Sequence, residues 1–153
     1  MRAARILVVD DEVPMLRSVV GILQDEHDVR GTASPQEACA IAEAFDPDVA
    51  ILDIRMPEMD GYALLNHLKR RDPRIQVILM TGSVYNVDQQ LIRAIREEAF
   101  YFVNKPFDRG VLRALVQRCL ELQSLADANR RHVEHLESQL EEARAFQQTM
   151  LPA

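Results

Sequence analysis

Five polar residues stand at the ends of four apolar runs. Asp10 and Asp11 follow Ile6-Leu7-Val8-Val9, Asp53 follows Val49-Ala50-Ile51-Leu52, Thr81 follows Val77-Ile78-Leu79-Met80, and Lys105 lies just beyond Phe100-Tyr101-Phe102-Val103. Three carboxylates crowded together repel one another unless a hard, oxygen-preferring cation neutralises them, and Mg2+ suits that site best. Such a cation also bridges to the oxygens of a phosphoryl group. An ammonium and a hydroxyl then hold the remaining equatorial oxygens of a loose transition state, and Lys105 and Thr81 fit those two parts. Asp53 is placed to attack phosphorus. The acyl phosphate formed is labile, which suits a timed signal better than a released product. Singly, each residue reads as a helix cap, a strand threonine or a solvated charge; at successive strand ends they describe one site.

The elements that must bring these side chains together are legible in the hydrophobic pattern. Short β-branched and aliphatic runs read as buried parallel strands, and in open parallel sheets the ligand crevice lies beyond the carboxyl ends of the strands. Between them lie helical patterns, over about 14–24 with Met15, Val19, Ile22 and Leu23 inward, and over about 61–71 with Leu64, Leu65 and Leu68 inward. A helix from Pro35 to about Ala44 opens on Ser34, with Glu37 as a capping-box partner, and Asp46-Pro47 breaks it. A short strand near 28–33 precedes it, and a fourth helix is expected over about 87–97. Alternating strands and helices predict a doubly wound α/β fold.

The motifs at these strand ends resemble the receiver domain of bacterial two-component response regulators. The resemblance runs from residue 4 to residue 120 or so, through Val8-Val9-Asp10-Asp11-Glu12, Asp53-Ile54-Arg55-Met56-Pro57-Glu58-Met59-Asp60-Gly61, Met80-Thr81-Gly82 and Asn104-Lys105-Pro106-Phe107. It implies a five-stranded, flavodoxin-like sheet of order 2-1-3-4-5. It also implies that Asp53 is the phosphoacceptor, that Asp11, Asp53 and the backbone carbonyl of Arg55 coordinate Mg2+, and that Asp10 holds the metal through water. Thr81 and Lys105 would clamp the phosphoryl group, Phe102 would swing inward on activation, and a cis peptide would precede Pro106. Phe102 stands where many receivers carry Tyr, so its movement would be stabilised by packing without a hydroxyl contact. Glu98 stands where many carry Gly. The side chain of Arg55 either tunes hydrolysis of the acyl phosphate or lies idle at the surface.

A second pattern runs through the C-terminal third. Leu115, Cys119, Leu122, Ala126, Asn129, Val133, Leu136, Leu140, Ala143, Gln147 and Met150 are spaced alternately by four and three, which is a heptad seam. Neither Pro nor Gly interrupts residues 111–151, so one helix about 60 Å long is expected at roughly 1.5 Å per residue. Such a stripe predicts a parallel two-stranded coiled coil, with Asn129 setting register. The domain reading is therefore a receiver over 1–120 and a helical linker over 121–153 leading to an output domain. Ala143-Arg144-Ala145-Phe146-Gln147-Gln148-Thr149-Met150-Leu151-Pro152 resembles the entry into the metal-dependent serine phosphatase domain of stress-response and sporulation regulators.

Composition narrows the partners. A net charge of −6, with 18 basic against 24 acidic residues and no basic cluster, argues against nucleic-acid binding by this segment. No apolar stretch is long enough to span a bilayer, and the expected location is the cytoplasm. Two cysteines, Cys39 and Cys119, read as reduced packing residues. The expected function is a phosphorylation-activated switch that takes its phosphoryl group from a histidine kinase and relays the change through a homodimer to an output, expected to be a phosphatase. Its alternatives are a constitutive receiver-like scaffold, or an output in transcription or nucleotide cyclisation.

Overall fold

The computed structural model describes residues 3–56, 58–82, 101–105 and 108–150, with side chains described throughout except at 101, 102, 104 and 147–150. The elements are β1 (Arg5–Val9), α1 (Val13–Leu23), β2 (Asp28–Thr32), α2 (Pro35–Phe45), β3 (Val49–Asp53), α3 (Gly61–Arg71), β4 (Gln76–Thr81), β5 (Tyr101–Asn104) and α4 (Arg109–Met150). The strands pair in parallel in the order β2-β1-β3-β4-β5. The helix expected over 87–97, Glu98 and the peptide bond into Pro106 lie outside the described residues. The chain divides into two compact units, Met1–Leu120 and Glu121–Ala153.

The near-continuous apolar strands follow from burial on both faces. Strand alternation sends Leu7, Val9, Ala50, Leu52, Val77 and Leu79 to a core shared with Ala38 and Ala42 of α2 and Leu64, Leu65 and Leu68 of α3. Ile6, Val8, Val49, Ile51, Ile78 and Met80 point the other way, against Val19, Ile22 and Leu23 of α1 and Leu112, Val116 and Cys119 of α4. Leu115 packs against that second core, and Cys119 is 0% exposed within it. The N-terminal part of the expected dimer seam is therefore spent inside this unit: the 3.6-residue period that marks a coiled coil is the same one that seats a helix on a sheet. Burial also pushes the Cys119 thiol up to about 12, with Lys69 opposing weakly, so it stays protonated and inert. Beyond residue 120 the exposure changes character, with Val133 at 44%, Leu136 at 49% and Leu140 at 51%.

Local chemistry sets the element ends. Ser34 caps α2 by accepting the Glu37 N–H, but the expected reciprocal bond is rerouted. Glu37 takes the Thr32 hydroxyl at 2.9 Å, and Thr32 Oγ1 in turn accepts the Ser34 N–H at 3.1 Å. The end of β2 thereby enters the capping box, which sequence spacing could not show. Asp46 closes α2 in the left-handed region, at φ 53°, a conformation that aspartate tolerates better than most residues. His27, buried at the α1–β2 connection, accepts the Ala4 N–H on Nδ1 at 3.0 Å. Its burial lowers the imidazole pKa, with Glu26 pulling the other way.

Gly61 begins α3 at a point of very close approach. A Cβ there would lie 2.5 Å from the Asp53 carbonyl oxygen and 2.9 Å from Ile54 Cα, both backbone atoms that cannot move independently of the site. Gly21, inside α1, would meet nothing within 4 Å. Gly61→Ala should therefore lower stability by about 2 kcal/mol, whereas Gly21→Ala should raise it by about 0.5–1 kcal/mol through helix propensity. Urea denaturation of the two variants tests both signs.

Candidate functional site

The parallel register brings the ends of β1, β3, β4 and β5 to one edge of the sheet. Val9 pairs with Leu52, Asp53 with Met80, and Thr81 with Asn104. Backbone bonds lock the loops that follow: the Ile54 N–H donates to the Met80 carbonyl at 2.9 Å, and the Lys105 N–H to the Thr81 carbonyl at 2.6 Å. The residues after each strand are thus held by the sheet itself, and side chains remote in sequence meet there.

Asp10 is fully buried, and both its oxygens are engaged. The Glu12 N–H donates to Oδ1 at 2.9 Å, and the Lys105 ammonium to Oδ2 at 2.7 Å. Lys105 Nζ also lies 3.5 Å from Asp53 Oδ1, so one ammonium spans two carboxylates. Asp53 Oδ1 accepts the Arg55 N–H at 3.4 Å. Asp10, Asp11 and Asp53 each offer an oxygen within 4.8 Å of the others, with Asp11 exposed and the other two buried. That donor set fits a divalent cation approached from the Asp11 side. Thr81, 1% exposed, ends β4 one residue beyond the partner of Asp53.

The electrostatics follow from this burial. Desolvation raises the Asp53 carboxyl to about 7, and the Asp10 charge adds to it, while Lys105 and the Arg55 amide oppose. For Lys105, burial works against the charged form, but the hydrogen bond it donates to Asp10 and the charges of Asp53, Asp10 and Glu12 outweigh it and raise the ammonium pKa. The lysine is the counter-ion of Asp10 and Asp53 in the acidic pocket.

Of the residues singled out from sequence, Asp10, Asp11, Asp53 and Lys105 are brought together directly, and Thr81 and Arg55 stand at adjoining backbone positions. Phe102 lies on β5, and its side chain is outside the described residues. Two participants lie in the sequence motifs but were given no role there: the Glu12 amide that holds Asp10, and Gly61, whose missing side chain makes room behind Asp53. The first is a backbone group, to which residue type is blind. The second reveals itself through a distance between segments.

A protein-family model described as the response regulator receiver domain matches residues 6–117. The chain belongs to that family. This receiver is 38% identical over 138 residues to the regulatory protein AtoC of Escherichia coli, covering 89% of this chain and 28% of that protein. It is 32% identical over 121 residues to the DNA-binding transcriptional regulator NtrC of Salmonella typhimurium, covering 69% and 25%. The chain thus spans about a quarter of the length of these regulators. Among solved structures it resembles NtrX from Brucella abortus in complex with ADP, with a TM-score of 0.77 and 35% identity over 88% of this chain and 30% of that one. It also resembles the BeF3-activated DrrB receiver domain, with a TM-score of 0.72 and 31% identity over 78% and 99%. No phosphatase is among these relatives. Receivers are signalling domains of two-component phosphorelays, and the acidic cluster of this one is of the kind that holds their metal. No helix among the described residues is long and apolar enough to cross a membrane.

Proposed function

We propose that this receiver accepts a phosphoryl group on Asp53 from a histidine kinase and that the change is relayed through the helix beyond residue 120 to an output domain. The observation that carries this reading is the Lys105 ammonium placed between Asp10 and Asp53, at 2.7 and 3.5 Å, beside a third carboxylate. Mg2+ would be held by Asp11, Asp53 and the Arg55 carbonyl, with Asp10 behind it, and would supply charge neutralisation during transfer. Asp53 Oδ attacks phosphorus, the phosphohistidine nitrogen leaves, and an acyl phosphate results. Lys105 then moves from its Asp10 contact toward the phosphoryl oxygens, and the Thr81 hydroxyl donates to another. Phe102 packs inward as Thr81 shifts. The domain is a phosphoacceptor; turnover is limited to its own phosphorylation and hydrolysis.

Acid-labile labelling by a small acyl phosphate in the presence of Mg2+ tests the assignment. Label should appear on the native chain and be absent from Asp53→Asn; equal labelling of the variant would refute it.

The output is a separate matter. The relatives named above include transcriptional regulators, which favours an output in transcription. A serine phosphatase output rests on the resemblance of residues 143–152 alone. In either case two copies of the chain pair through the exposed helix and present their outputs together. The gene sequence beyond Ala153 discriminates the two outputs.

A further inference from the structure

We infer that Thr32, at the end of β2, is a positioning residue for the acidic pocket: its hydroxyl, held between the Glu37 carboxylate and the Ser34 amide, fixes the backbone bond from which Asp10 hangs. This rests on the reading of that pocket as a cation and phosphoryl site, and it adds a residue that is neither a metal ligand nor a phosphoryl clamp.

Asp10 is fixed at three points. Its Oδ1 accepts the Glu12 N–H, and its Oδ2 accepts from the Lys105 ammonium. Its own N–H donates to the Thr32 carbonyl at 3.2 Å. That bond lies just beyond the final β1–β2 pair, Val9 with Thr32, where the first strand gives way to the loop carrying Asp11 and Glu12. The point at which Asp10 leaves the sheet therefore aims two of the three carboxylates of the cluster.

β2 is poorly placed to hold this bond unaided. It is an edge strand, paired with β1 alone, and Asp28, Arg30 and Gly31 are exposed whereas Thr32 is buried. Beyond Thr32 the chain bends into α2, and the Thr32 side chain sets the bend. Its hydroxyl donates to Glu37 Oε2 at 2.9 Å and accepts the Ser34 N–H at 3.1 Å, two bonds that only a hydroxyl of this size supplies at once. A continuous chain of contacts results. Glu37 holds the Thr32 hydroxyl, the Thr32 carbonyl holds the Asp10 amide, and the Asp10 carboxylate holds Lys105. The ammonium is 2.7 Å from Asp10 and 3.5 Å from Asp53, so a small displacement of Asp10 redistributes it between the two acids. Burial strengthens such contacts and makes an error in their geometry correspondingly more damaging.

The test titrates Mg2+ into the full 153-residue chain, isotope-labelled, and follows the backbone amide resonances of Asp10 and Asp11. Thr32→Val keeps the shape and deletes the hydroxyl. It should weaken Mg2+ binding about 10-fold, the low end of the loss when a partner behind a metal site is removed. It should also shift the Asp10 amide before any Mg2+ is added. Thr32→Ser retains the hydroxyl and should restore both readings. Glu37→Ala, at an exposed position that the fold tolerates, should weaken Mg2+ binding in the same direction, and Glu37→Gln, which keeps an acceptor oxygen without the charge, should not. Ser34→Ala deletes the cap of α2 and leaves the Thr32–Glu37 bond, so it should lower the urea midpoint with no change in Mg2+ affinity. Native affinity and an unmoved Asp10 amide in Thr32→Val and Glu37→Ala would overturn the inference. Equal weakening by Ser34→Ala would also overturn it, by making the effect one of α2 stability, and equal weakening by Glu37→Gln would make it one of charge. Acyl-phosphate labelling of the native chain separates this inference from the reading beneath it. No label on Asp53, with the Thr32→Val loss of Mg2+ affinity present, would overturn the phosphoacceptor assignment and leave the role of Thr32 standing.

Discussion

Without metal, Asp53→Asn is expected to be more stable than the native protein at pH 8, and the advantage should shrink as the pH is lowered toward 4. Asp53 is 4% exposed and sits beside the fully buried Asp10, and its carboxyl pKa is raised from the ordinary value of 3.8 to about 7 in the folded state. A raised folded-state pKa means that the native protein holds the proton more tightly than the unfolded chain. Its contribution is therefore most favourable at low pH and is lost as pH rises from the unfolded value through about 7. With each pKa unit equivalent to about 1.4 kcal/mol, the native protein should carry a penalty of about 4 kcal/mol at pH 8 that asparagine avoids. Mg2+ should narrow the gap, because the cation stabilises the charged carboxylates of the native site and has less to hold in the variant. Urea melts in EDTA at pH 5 and pH 8, repeated with Mg2+, measure all of this. Equal stability of the two proteins at pH 8 in EDTA would mean that Asp53 is not a strained charge, and the site would lose its electrostatic reason to bind a cation.

Replacing Lys105 by methionine should have a comparable cost of opposite sign. The ammonium is the counter-ion of Asp10 at 2.7 Å, with the lysine side chain 8% exposed and the aspartate side chain 0% exposed. Removing it leaves Asp10 with the Glu12 amide on one oxygen and no cation on the other. Breaking a buried pair from one side costs about 3–5 kcal/mol, because the remaining charge has been taken from water without compensation. The native and substituted proteins should therefore differ by about 3 kcal/mol at pH 8 in EDTA. Asp10→Asn should remove most of that difference, since an amide needs no counter-ion. Additive losses in the double variant, to within about 0.5 kcal/mol, would show that the two groups do not interact. Mg2+ should rescue Lys105→Met in part, while on the proposed function phosphorylation of that variant should still fail to propagate, because Lys105 is proposed to clamp a phosphoryl oxygen. Thermal stability and the beryllofluoride-dependent mass of the same variant separate the two effects.

Much of this protein could be read from residue order, because much of its information is periodic or local. The parallel sheet was visible in runs such as Val49-Ala50-Ile51-Leu52, since a strand buried on both faces can carry little else. The inward faces of α1 and α3 followed from helical spacing, and their ends from Pro14 and from the Asp72-Pro73 step. The site was legible because a parallel sheet delivers every strand end to one edge, so Asp10, Asp53 and Lys105 had to converge once the strands were recognised.

Tertiary structure decided what depends on through-space distance. Spacing could mark Leu115 and Cys119 as one face of a helix, but only packing shows that this face meets the sheet and that the seam open to a partner begins farther on. Glu37 could be placed in a capping box, yet the Thr32 hydroxyl intercepts it because β2 ends within reach. Gly61 is required by a backbone 2.5 Å from where its Cβ would be, a distance set by the loop returning past Asp53. The same holds for the resting partner of Lys105: its sequence position assigns it to the site, and burial of Asp10 makes it the counter-ion there. Residue types set which groups could interact, and desolvation in the folded core decided which interactions carry the energy.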